Sequence, residues 1–418
     1  MKKVFFGAAA LLFSGALMAQ NTSNSTQTGD DQRVYVRQAG TALMSDVTQA
    51  NGGGLGSNKA KVWQRGNANS SAIDQEGTNN QALVKQGITF PAPDSNSAII
   101  NQGKNDSASL NNKAFVQQHG GNNSGTTINQ DGEANEAKSH QDGVSGIVTI
   151  DQTGLSHQSY VEQNFGDYTA MNNTADIDQT GDNNKSYAKQ DGDGNMLTAI
   201  QSDSNNKADQ VQNSSMAASG NTAMVNQSST GNKARQRQMG GANSATAVQH
   251  AITGPGVDNY VEQNQVGNSN TAFSDQDGDS GYVRQDQIGD GNTATVNQWA
   301  AGTGNKVYQR QFGNGNTMTS GQYGGSNNLT STYQDNGNTG YTSQTGDNHQ
   351  ALLVQKGGHM GSIIQSGNGN MADVLQLGPG GDFVNDAESC DFQAPEPLNC
   401  PDPLTPISID APCGPNGC

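Results

Sequence analysis

The stretch Gln287-Ile-Gly-Asp-Gly-Asn-Thr-Ala-Thr-Val-Asn-Gln298 contains the pattern that decides the fold of this chain. In a β-strand, successive side chains point to opposite faces. One face would therefore hold Asn292, Ala294, Val296 and Gln298, and the other Thr293, Thr295 and Asn297. The segment before Asn292 is Ile-Gly-Asp-Gly, and glycine reaches the positive φ angles of a tight reversal without a Cβ clash. The stretch predicts one turn followed by one strand.

The same pattern, Q-x-G-x-x-N-x-A-x-x-x-Q, returns along most of the chain. All five fixed positions are kept at Gln75–Gln86, Gln130–Gln141, Gln238–Gln249 and Gln365–Gln376. Three further copies relax one position each: Gln64–Gln75 has Ser71 for the alanine, Gln201–Gln212 has Asp203 for the glycine, and Gln344–Gln355 has His349 for the asparagine. The chain is therefore a tandem repeat.

This motif resembles the curlin repeat of curli fibre subunits, the secreted proteins of bacterial amyloid fibres. The resemblance runs from about Gln27 to Gln376, with many more repeats and less even turns than a typical subunit. It implies a non-enzymatic structural protein that stacks with itself into extracellular fibres for adhesion and biofilm matrix. It also implies curli-type partners for secretion, including an outer-membrane channel, and for nucleation. Whether the chain would be a main subunit or a nucleator stays open.

Composition excludes an ordinary globular core. Hydrophobic residues make up 31% and charged residues 14% of the chain, against about 45–50% and about 25% in ordinary soluble domains. Disordered chains usually combine low hydrophobicity with high charge, but a net charge of −17 over 418 residues is modest. Low charge, abundant Asn, Gln and Gly, and a strict period favour stacked β-structure, in which each repeat packs only against its neighbours.

Thirty glutamines between Gln27 and Gln376, Gln263 among them, are predicted to close one strand each, and seventeen of the twenty-nine intervals are eleven residues long. An eleven-residue unit with a turn of four or five leaves a strand of about six residues, a usual length. Two units make one coil. The prediction is an all-β, two-sheet β-solenoid of about fifteen coils, roughly 70 Å long at about 4.8 Å per rung.

Ladders of side chains would hold such coils together. Inward Asn and Gln amides could donate to and accept from the same residue above and below, which satisfies each buried amide. The candidate ladder and core residues are Asn69, Gln75, Asn80, Ala82, Val84, Gln86, Asn135, Gln141, Asn243, Gln249, Asn292, Ala294, Val296, Gln298, Asn370 and Gln376. The residues predicted to be exposed are Gln81, Leu83, Lys85, Thr293, Thr295 and Asn297.

The two ends of the chain differ from the repeats. Residues 1–19 are predicted to be a secretory signal peptide, with Lys2 and Lys3 before an apolar run that is too short for a membrane span, and residues 20–26 a polar lead-in to the solenoid of 27–378. Residues 379–418 contain all four cysteines, Cys390, Cys400, Cys413 and Cys418. In an exported chain these are candidate disulfide partners with three possible pairings. A cap, a sorting signal and a surface-attachment segment all remain open for this tail.

Few residues suggest bound ions or chemistry. The runs Asp191–Asn195 and Asp275–Asp279 resemble pieces of calcium loops but lack the glycine that an EF-hand requires, so plain turns are expected. The six histidines show no metal-ligand spacing, and no nucleophile has an evident partner. No metal, cofactor or catalytic residue is expected. No basic stripe is evident, and the net charge opposes phosphate binding, so no nucleic-acid partner is expected.

Threonine pairs are a further outward feature in this interpretation: Thr293 with Thr295, Thr317 with Thr319, and Thr330 with Thr332, of which the first two pairs should lie on neighbouring rungs. Flat ice-binding solenoids display such pairs, although the β-propensity of threonine also explains them. A non-polymerising surface adhesin, or a rod that binds a ligand or ice, is therefore the alternative to a fibre subunit.

Overall fold

The computed structural model describes residues 20–51, 57–87, 95–103, 109–119, 123–164, 169–214, 219–250 and 257–378. These residues form thirty β-strands and no helix, so the described part of the chain offers no helix that could cross a membrane. The strands are β1 (Thr22–Thr28), β2 (Arg33–Thr41), β3 (Met44–Ala50), β4 (Lys59–Asn67), β5 (Ser70–Glu76), β6 (Gln81–Gln86), β7 (Ser97–Gln102), β8 (Lys113–His119), β9 (Gly125–Glu133), β10 (Glu136–Asp142), β11 (Ile147–Leu155), β12 (Gln158–Gln163), β13 (Thr174–Asp182), β14 (Lys185–Asp191), β15 (Met196–Gln201), β16 (Lys207–Asn213), β17 (Thr222–Gln227), β18 (Lys233–Met239), β19 (Ser244–His250), β20 (Tyr260–Val266), β21 (Thr271–Asp279), β22 (Tyr282–Ile288), β23 (Thr293–Thr303), β24 (Lys306–Phe312), β25 (Thr317–Tyr323), β26 (Leu329–Asp335), β27 (Thr339–Asp347), β28 (Gln350–Lys356), β29 (Met360–Asn368) and β30 (Met371–Leu377).

The strands alternate between two parallel sheets. One sheet contains the fifteen odd-numbered strands in order and the other the fifteen even-numbered strands in order, so every strand pairs with the strands two before and two after it. Each odd and even pair makes one coil. The predicted all-β, two-sheet solenoid of tandem repeats is confirmed, and we call its two outer surfaces the odd face and the even face.

The core lies between the sheets and is built from small and β-branched side chains. Ala294 and Val296 are fully buried, and the same two positions on other strands hold residues such as Ala98 with Ile100 and Ala175 with Ile177, also buried. A large apolar cluster runs from Val47 to Val307. A second, small cluster around Met318 and Leu353 follows it toward the C-terminal coil.

Glycine is required where the turns of successive coils stack. At Gly289 φ is +120°, and a Cβ atom there would lie 2.1 Å from the carbonyl oxygen of Gly313 in the next coil, which no side chain tolerates. Asp203, which replaces the motif glycine in its repeat, takes a φ of 65°, a left-handed conformation that aspartate adopts more readily than most residues.

Three details of the predicted strands are wrong. The polar segment before Gln27 forms most of β1, which begins at Thr22. Glutamine does not end every strand, since β2, for example, continues past Gln38 to Thr41. In β20 the residue aligned with the closing glutamines Gln238 and Gln287 is Gln265, not Gln263.

Three predictions of exposure are also wrong. Leu83 points outward but is only 3% exposed, because Lys61 and Phe115 stand beside it on the adjacent strands. Thr330 and Thr332 are buried, because they share the parity of Gln334 and so face the core. The other residues expected to be exposed, Gln81, Lys85, Thr293, Thr295 and Asn297, point outward and are half-buried by their neighbours in the sheet.

Two expectations lie outside the described residues. These are the signal peptide of residues 1–19 and the tail of residues 379–418 with Cys390, Cys400, Cys413 and Cys418.

Candidate functional site

Two unbroken glutamine ladders run along the solenoid, one in each sheet. Each glutamine donates from Nε2 to Oε1 of the glutamine in the next coil, as Gln276 does to Gln298 at 2.8 Å. In the odd sheet the ladder joins Gln27, Gln49, Gln75, Gln102, Gln130, Gln152, Gln179, Gln201, Gln227, Gln249, Gln276, Gln298, Gln322, Gln344 and Gln365. In the even sheet it joins Gln38, Gln64, Gln86, Gln118, Gln141, Gln163, Gln190, Gln212, Gln238, Gln265, Gln287, Gln311, Gln334, Gln355 and Gln376.

The second N–H of a ladder glutamine ties the two sheets to each other. Gln86, for example, also donates to the carbonyl oxygen of Ser70 at 3.0 Å, and Gln287 donates to that of Thr271. Both donors of these buried amides are thereby used. Because an unpaired buried amide costs about 1–3 kcal/mol, the arrangement favours one register of coil upon coil.

The asparagine that precedes most strands makes the predicted amide ladder in part and also binds backbone groups. Asn292 donates from Nδ2 to Oδ1 of Asn270 and accepts on Oδ1 from Nδ2 of Asn316, as predicted. Asn292 accepts the backbone N–H of Asn316 on Oδ1 at 3.0 Å and itself donates its backbone N–H to Oδ1 of Asn270. Its Nδ2 donates to the carbonyl oxygen of Gly313 at 2.8 Å. We call this position the asparagine slot. Its side chain satisfies backbone groups of the adjacent turns as well as neighbouring amides, so it holds the turn while glutamine holds the strand.

Three histidines, His349, His157 and His359, take the place of asparagine in this slot, and each donates its backbone N–H to Oδ1 of the asparagine in the preceding coil. His349 is fully buried; its Nδ1 accepts the backbone N–H of Asn370, and its Nε2 lies 3.1 Å from the carbonyl oxygen of Thr345. His157 repeats both contacts with Asn184 and Thr153. Burial lowers the pKa of His157, which favours the neutral ring that this pattern requires. Of these histidines, only His349 was identified from the sequence.

The structure places the sixteen candidate ladder and core residues at these inward positions. Fourteen are buried. The other two are Asn370, which is exposed, and Gln376, which is half-buried. Both lie at β30, which pairs only with β28, so no further described coil covers them.

A shorter glutamine ladder, which the sequence reasoning missed, lies two residues before the main one. It joins Gln210, Gln236, Gln263, Gln285 and Gln309 of the even sheet by bonds of 2.8–3.0 Å. All five side chains are buried in positions that most other coils fill with valine or alanine. The signal was present in the sequence as five Gln-x-Gln triplets ending at Gln212, Gln238, Gln265, Gln287 and Gln311.

Among the described residues, lysine and arginine are confined to the even sheet. All eighteen lysines and arginines among the described residues lie in even-numbered strands: Arg33, Arg37, Lys59, Lys61, Arg65, Lys85, Lys113, Lys138, Lys185, Lys189, Lys207, Lys233, Arg235, Arg237, Arg284, Lys306, Arg310 and Lys356. Odd-numbered strands contain thirteen acidic residues and even-numbered strands nine. The expectation of no basic stripe is therefore wrong, because a total charge cannot show how charges divide between two faces. The absence of a nucleic-acid partner stays a prediction.

Aromatic rings alternate with lysines on the N-terminal half of the even face. Lys61 and Lys85 place Nζ 4.0 and 5.2 Å from the ring centre of Trp63. Lys85 and Lys138 lie 5.4 and 5.7 Å from that of Phe115, and Lys138 lies 4.6 Å from that of Tyr160. Cation–π contacts of this kind contribute about 0.5–1 kcal/mol each at exposed sites. The series spans the five strands from β4 to β12, and we call it the lysine–aromatic row.

Each aspartate run that resembles a calcium loop contains a carboxylate that accepts a backbone N–H. Asp193 accepts the N–H of Met171, and Asp279 accepts that of Val257, each in an adjacent coil. The first run falls on a turn with Gly192 and Gly194 at positive φ. The second forms the end of β21, so the expected turn is wrong there.

The predicted threonine pairs are brought together only in part. Thr293 lies opposite Thr317, and Thr295 opposite Thr319, on neighbouring rungs of the odd sheet. The third expected pair is in the core. On the next rung the second threonine column is interrupted by Tyr341, so the flat regular array typical of an ice-binding surface does not extend there.

Stacked amide ladders, parallel strands and repeated turns define the chain as a two-sheet β-solenoid of structural rather than catalytic character. A family model for the curlin associated repeat matches residues 57–87 and residues 170–202. The chain therefore contains curlin repeats and is assigned to the curlin-repeat family on those two segments, the first spanning β4 to β6 and the second β13 to β15. The repeat is that of curli-related structural proteins. No curated protein matches the chain.

Proposed function

We propose that this protein is a secreted structural subunit whose solenoids stack end to end into curli-like extracellular amyloid fibres that serve adhesion and biofilm matrix. The observation that carries the proposal is that the two ends of the solenoid complement each other. Among the described strands, β1 and β2 have a partner on one side only, and so do β29 and β30. Unpaired strand edges of this kind template the addition of another chain.

The apolar positions of the two ends match in register. Val34 and Val36 of β2 are half-buried at one end of the large core cluster, and Ala372 and Val374 of β30 are half-buried at the far end of the small one. Val34 and Val36 precede Gln38 by four and two residues. Ala372 and Val374 precede Gln376 by the same numbers of residues. If Gln376 of one copy takes its ladder position above Gln38 of the next, Ala372 covers Val34 and Val374 covers Val36.

The ladders continue across the same junction. Gln365 and Gln376 would donate from Nε2, as every preceding ladder glutamine does, and Gln27 and Gln38 would accept on Oε1. Head-to-tail stacking therefore extends both ladders, whereas head-to-head stacking would place two acceptors or two donors against each other. A heterologous contact of this sort does not close and produces a filament.

The even face supplies the adhesive surface in this proposal. Its first four strands, β2, β4, β6 and β8, contain seven cations and no acidic residue, together with Tyr35, Trp63 and Phe115. Such a surface attracts negatively charged cell or matrix surfaces, more strongly at low salt. The same face supports the second candidate, a single rod that acts as an adhesin without polymerising.

Polymerisation of the purified mature chain tests the proposal. We expect thioflavin fluorescence and cross-β diffraction, with a lag phase that preformed seeds shorten. The variants Val36→Lys and Val374→Asp should each stop elongation, because each puts a charge into one side of the apolar junction. The double variant should recover part of the elongation, because the lysine of one copy then meets the aspartate of the next.

Two control variants separate the junction from a general effect of charge. Ala39→Lys and Met371→Asp add the same charges at exposed, outward positions of the same strands and should elongate like the unchanged chain. A chain ending at Gly378 measures the tail and should polymerise faster if the tail is a cap. If neither the full-length nor the truncated chain polymerises over days at micromolar concentration, the fibre is refuted and the adhesin remains.

A further inference from the structure

Three side chains that can ligate a metal ion meet on the even face. His119 closes β8 and lies directly opposite Asp142 of β10, and His140 precedes Asp142 by two residues, on the same side of its strand. A single carboxylate oxygen, Oδ1 of Asp142, is 3.6 Å from Nδ1 of His119 and 3.4 Å from Nε2 of His140. One ligand atom from each residue lies within 4.8 Å of the other two. The expectation that the histidines show no metal site rested on spacing along the chain, which does not show neighbours across a coil.

These distances suit metal ligands better than direct hydrogen bonds. An N–H···O bond has a usual length of 2.7–3.2 Å, so both contacts to the carboxylate oxygen are long. Zinc bonds to nitrogen and oxygen of about 2.0–2.2 Å in a tetrahedron place neighbouring ligand atoms about 3.3–3.5 Å apart. The contacts of Asp142 with both histidines are close to that value, and the ligand atoms of the two histidines lie within 4.8 Å of each other.

The surroundings hold the ligands while leaving one side accessible. The two imidazole rings meet edge to face, with centroids 5.3 Å apart and an interplanar angle of 86°. The side chain of Asp142 is 4% exposed, that of His140 9% and that of His119 13%, so the carboxylate is enclosed and each ring keeps only a small exposed edge. Three protein ligands with an open fourth position are the arrangement of zinc sites that keep a water molecule.

We propose that His119, His140 and Asp142 bind one divalent transition-metal ion of the zinc type on each chain, joining β8 to β10 across two adjacent coils. Imidazole and carboxylate ligands suit zinc and copper, and copper binds such nitrogen and oxygen sites more tightly. This site does not depend on fibre formation, because all three ligands belong to one solenoid.

Zinc titration of tag-free mature protein, with its cysteines alkylated to remove thiol ligands, tests the proposal. We expect one zinc ion per chain by calorimetry, and with Co²⁺ the visible absorption of a tetrahedral nitrogen and oxygen site. His119→Ala and His140→Ala should each weaken binding at least tenfold, and Asp142→Asn should weaken it as well. Each variant should keep the β-sheet circular dichroism of the unchanged chain, since all three residues point outward.

His250 provides the matched control. His250 contacts the carboxylate of Asp275 at 2.8 Å on the odd face and belongs to no described group of three ligand side chains within reach of one ion, so His250→Ala should leave zinc binding unchanged. The proposal is overturned if no stoichiometric binding is found, or if His250→Ala weakens binding as much as His119→Ala and His140→Ala do.

Discussion

Gln263 donates from Nε2 to Oε1 of Gln285 at 2.8 Å. Each of the two lies two residues before the main-ladder glutamine of its own strand, Gln265 or Gln287. The five coils that share this arrangement have an amide layer where the coils on either side have Ala188 and Thr332. Such a layer stabilises only if it is complete, because each amide depends on the one in the next coil.

Replacing Gln236 with alanine should therefore destabilise the middle of the solenoid. The change removes the acceptor of Gln210 and the donor to Gln263, which leaves two buried amides short of a partner, at about 1–3 kcal/mol each. Urea denaturation should show a loss of about 2–6 kcal/mol in the free energy of unfolding, and hydrogen exchange should locate it in β16 to β20. Gln158→Ala, at an outward position of β12, is the control and should change little. An equal loss in both variants would contradict a special role for the second ladder.

Gly281 offers a stabilising substitution. It occupies the asparagine slot between Asn259 and Asn305 and donates its N–H to Asn259, but it has no side chain to accept from the coil that follows. Gly281→Asn should restore the missing acceptor and raise the free energy of unfolding by about 1 kcal/mol. The new Cβ would lie 2.9–3.1 Å from the amide ends of Gln298, Asn259 and Gln276, which are side-chain atoms that can shift.

The control for this change is Gly291→Asn. Gly291 has a φ of +67° with open space around its Cβ position, and asparagine tolerates that conformation. This variant measures how replacing glycine with asparagine changes the free energy of unfolding where the new side chain fills no asparagine slot. If Gly281→Asn stabilises no more than Gly291→Asn does, the slot does not act through its acceptor.

Stability should depend on pH through a row of acidic residues on the odd face. Burial, followed by the charges of Asp151 and Asp176, raises the pKa of Asp178, and Asp178 lies directly opposite Asp151. A carboxyl whose pKa is higher in the folded than in the unfolded state destabilises the fold when it is ionised. This penalty is lost as the pH falls through the folded-state pKa and is absent below the unfolded-state pKa. Asp178→Asn should therefore stabilise the protein at pH 7, by about 0.5 kcal/mol or less, and have no such effect near pH 3.

Asp74→Asn is the matched control for the pH effect. Asp74 occupies the same column of the sheet but lies between neutral Thr48 and Asn101. Thermal unfolding of both variants across that pH range measures the difference. If both variants gain the same stability at pH 7, the repulsion between Asp151 and Asp178 is not the cause of the gain.

Lys85 should stabilise the lysine–aromatic row, because its Nζ lies against both Trp63 and Phe115. Lys85→Met keeps the apolar stem and removes the charge, so it should cost about 1–2 kcal/mol for the two contacts. In a Trp299→Phe background it should also change the fluorescence of Trp63. Lys59→Met is the control, since Lys59 lies opposite Arg33 and Gln81 rather than rings. Unchanged stability and fluorescence in Lys85→Met would show that the row is only a coincidence of spacing.

The repeat unit was predictable because the alternation of inward and outward side chains and the spacing of the glutamines can both be read along the chain, one strand and turn at a time. Predictions failed where two strands had to be compared. The pentapeptide Tyr-Val-Glu-Gln-Asn occurs at 160–164 and 260–264, yet Val161 lies at the fourth position of β12 and Val261 at the second of β20. Asn259 fixes the second copy by entering the asparagine slot, which moves the ladder from Gln263 to Gln265.

The same limit explains the missed surface features. Leu83 is covered by residues more than twenty positions away in the chain, and His119 meets His140 only because two coils stack. The division of charge between the faces likewise requires the order of strands in each sheet. The composition and the repeat period do not show the order of the strands in each sheet. The pairing of glutamines along the two ladders does show it.

The asparagine slot also explains how turns of unequal length fit one solenoid. After each of the seven internal stretches that lie outside the described residues, this slot precedes the next strand: Asn58, Asn96, Asn112, Ser124, Asn173, Asn221 and Asn259. Six of the seven are asparagine. Since the slot re-establishes the pairing whatever number of residues precedes it, the edges of the solenoid are natural insertion points. Foreign peptides placed there would be displayed at a regular spacing without cost to the strands.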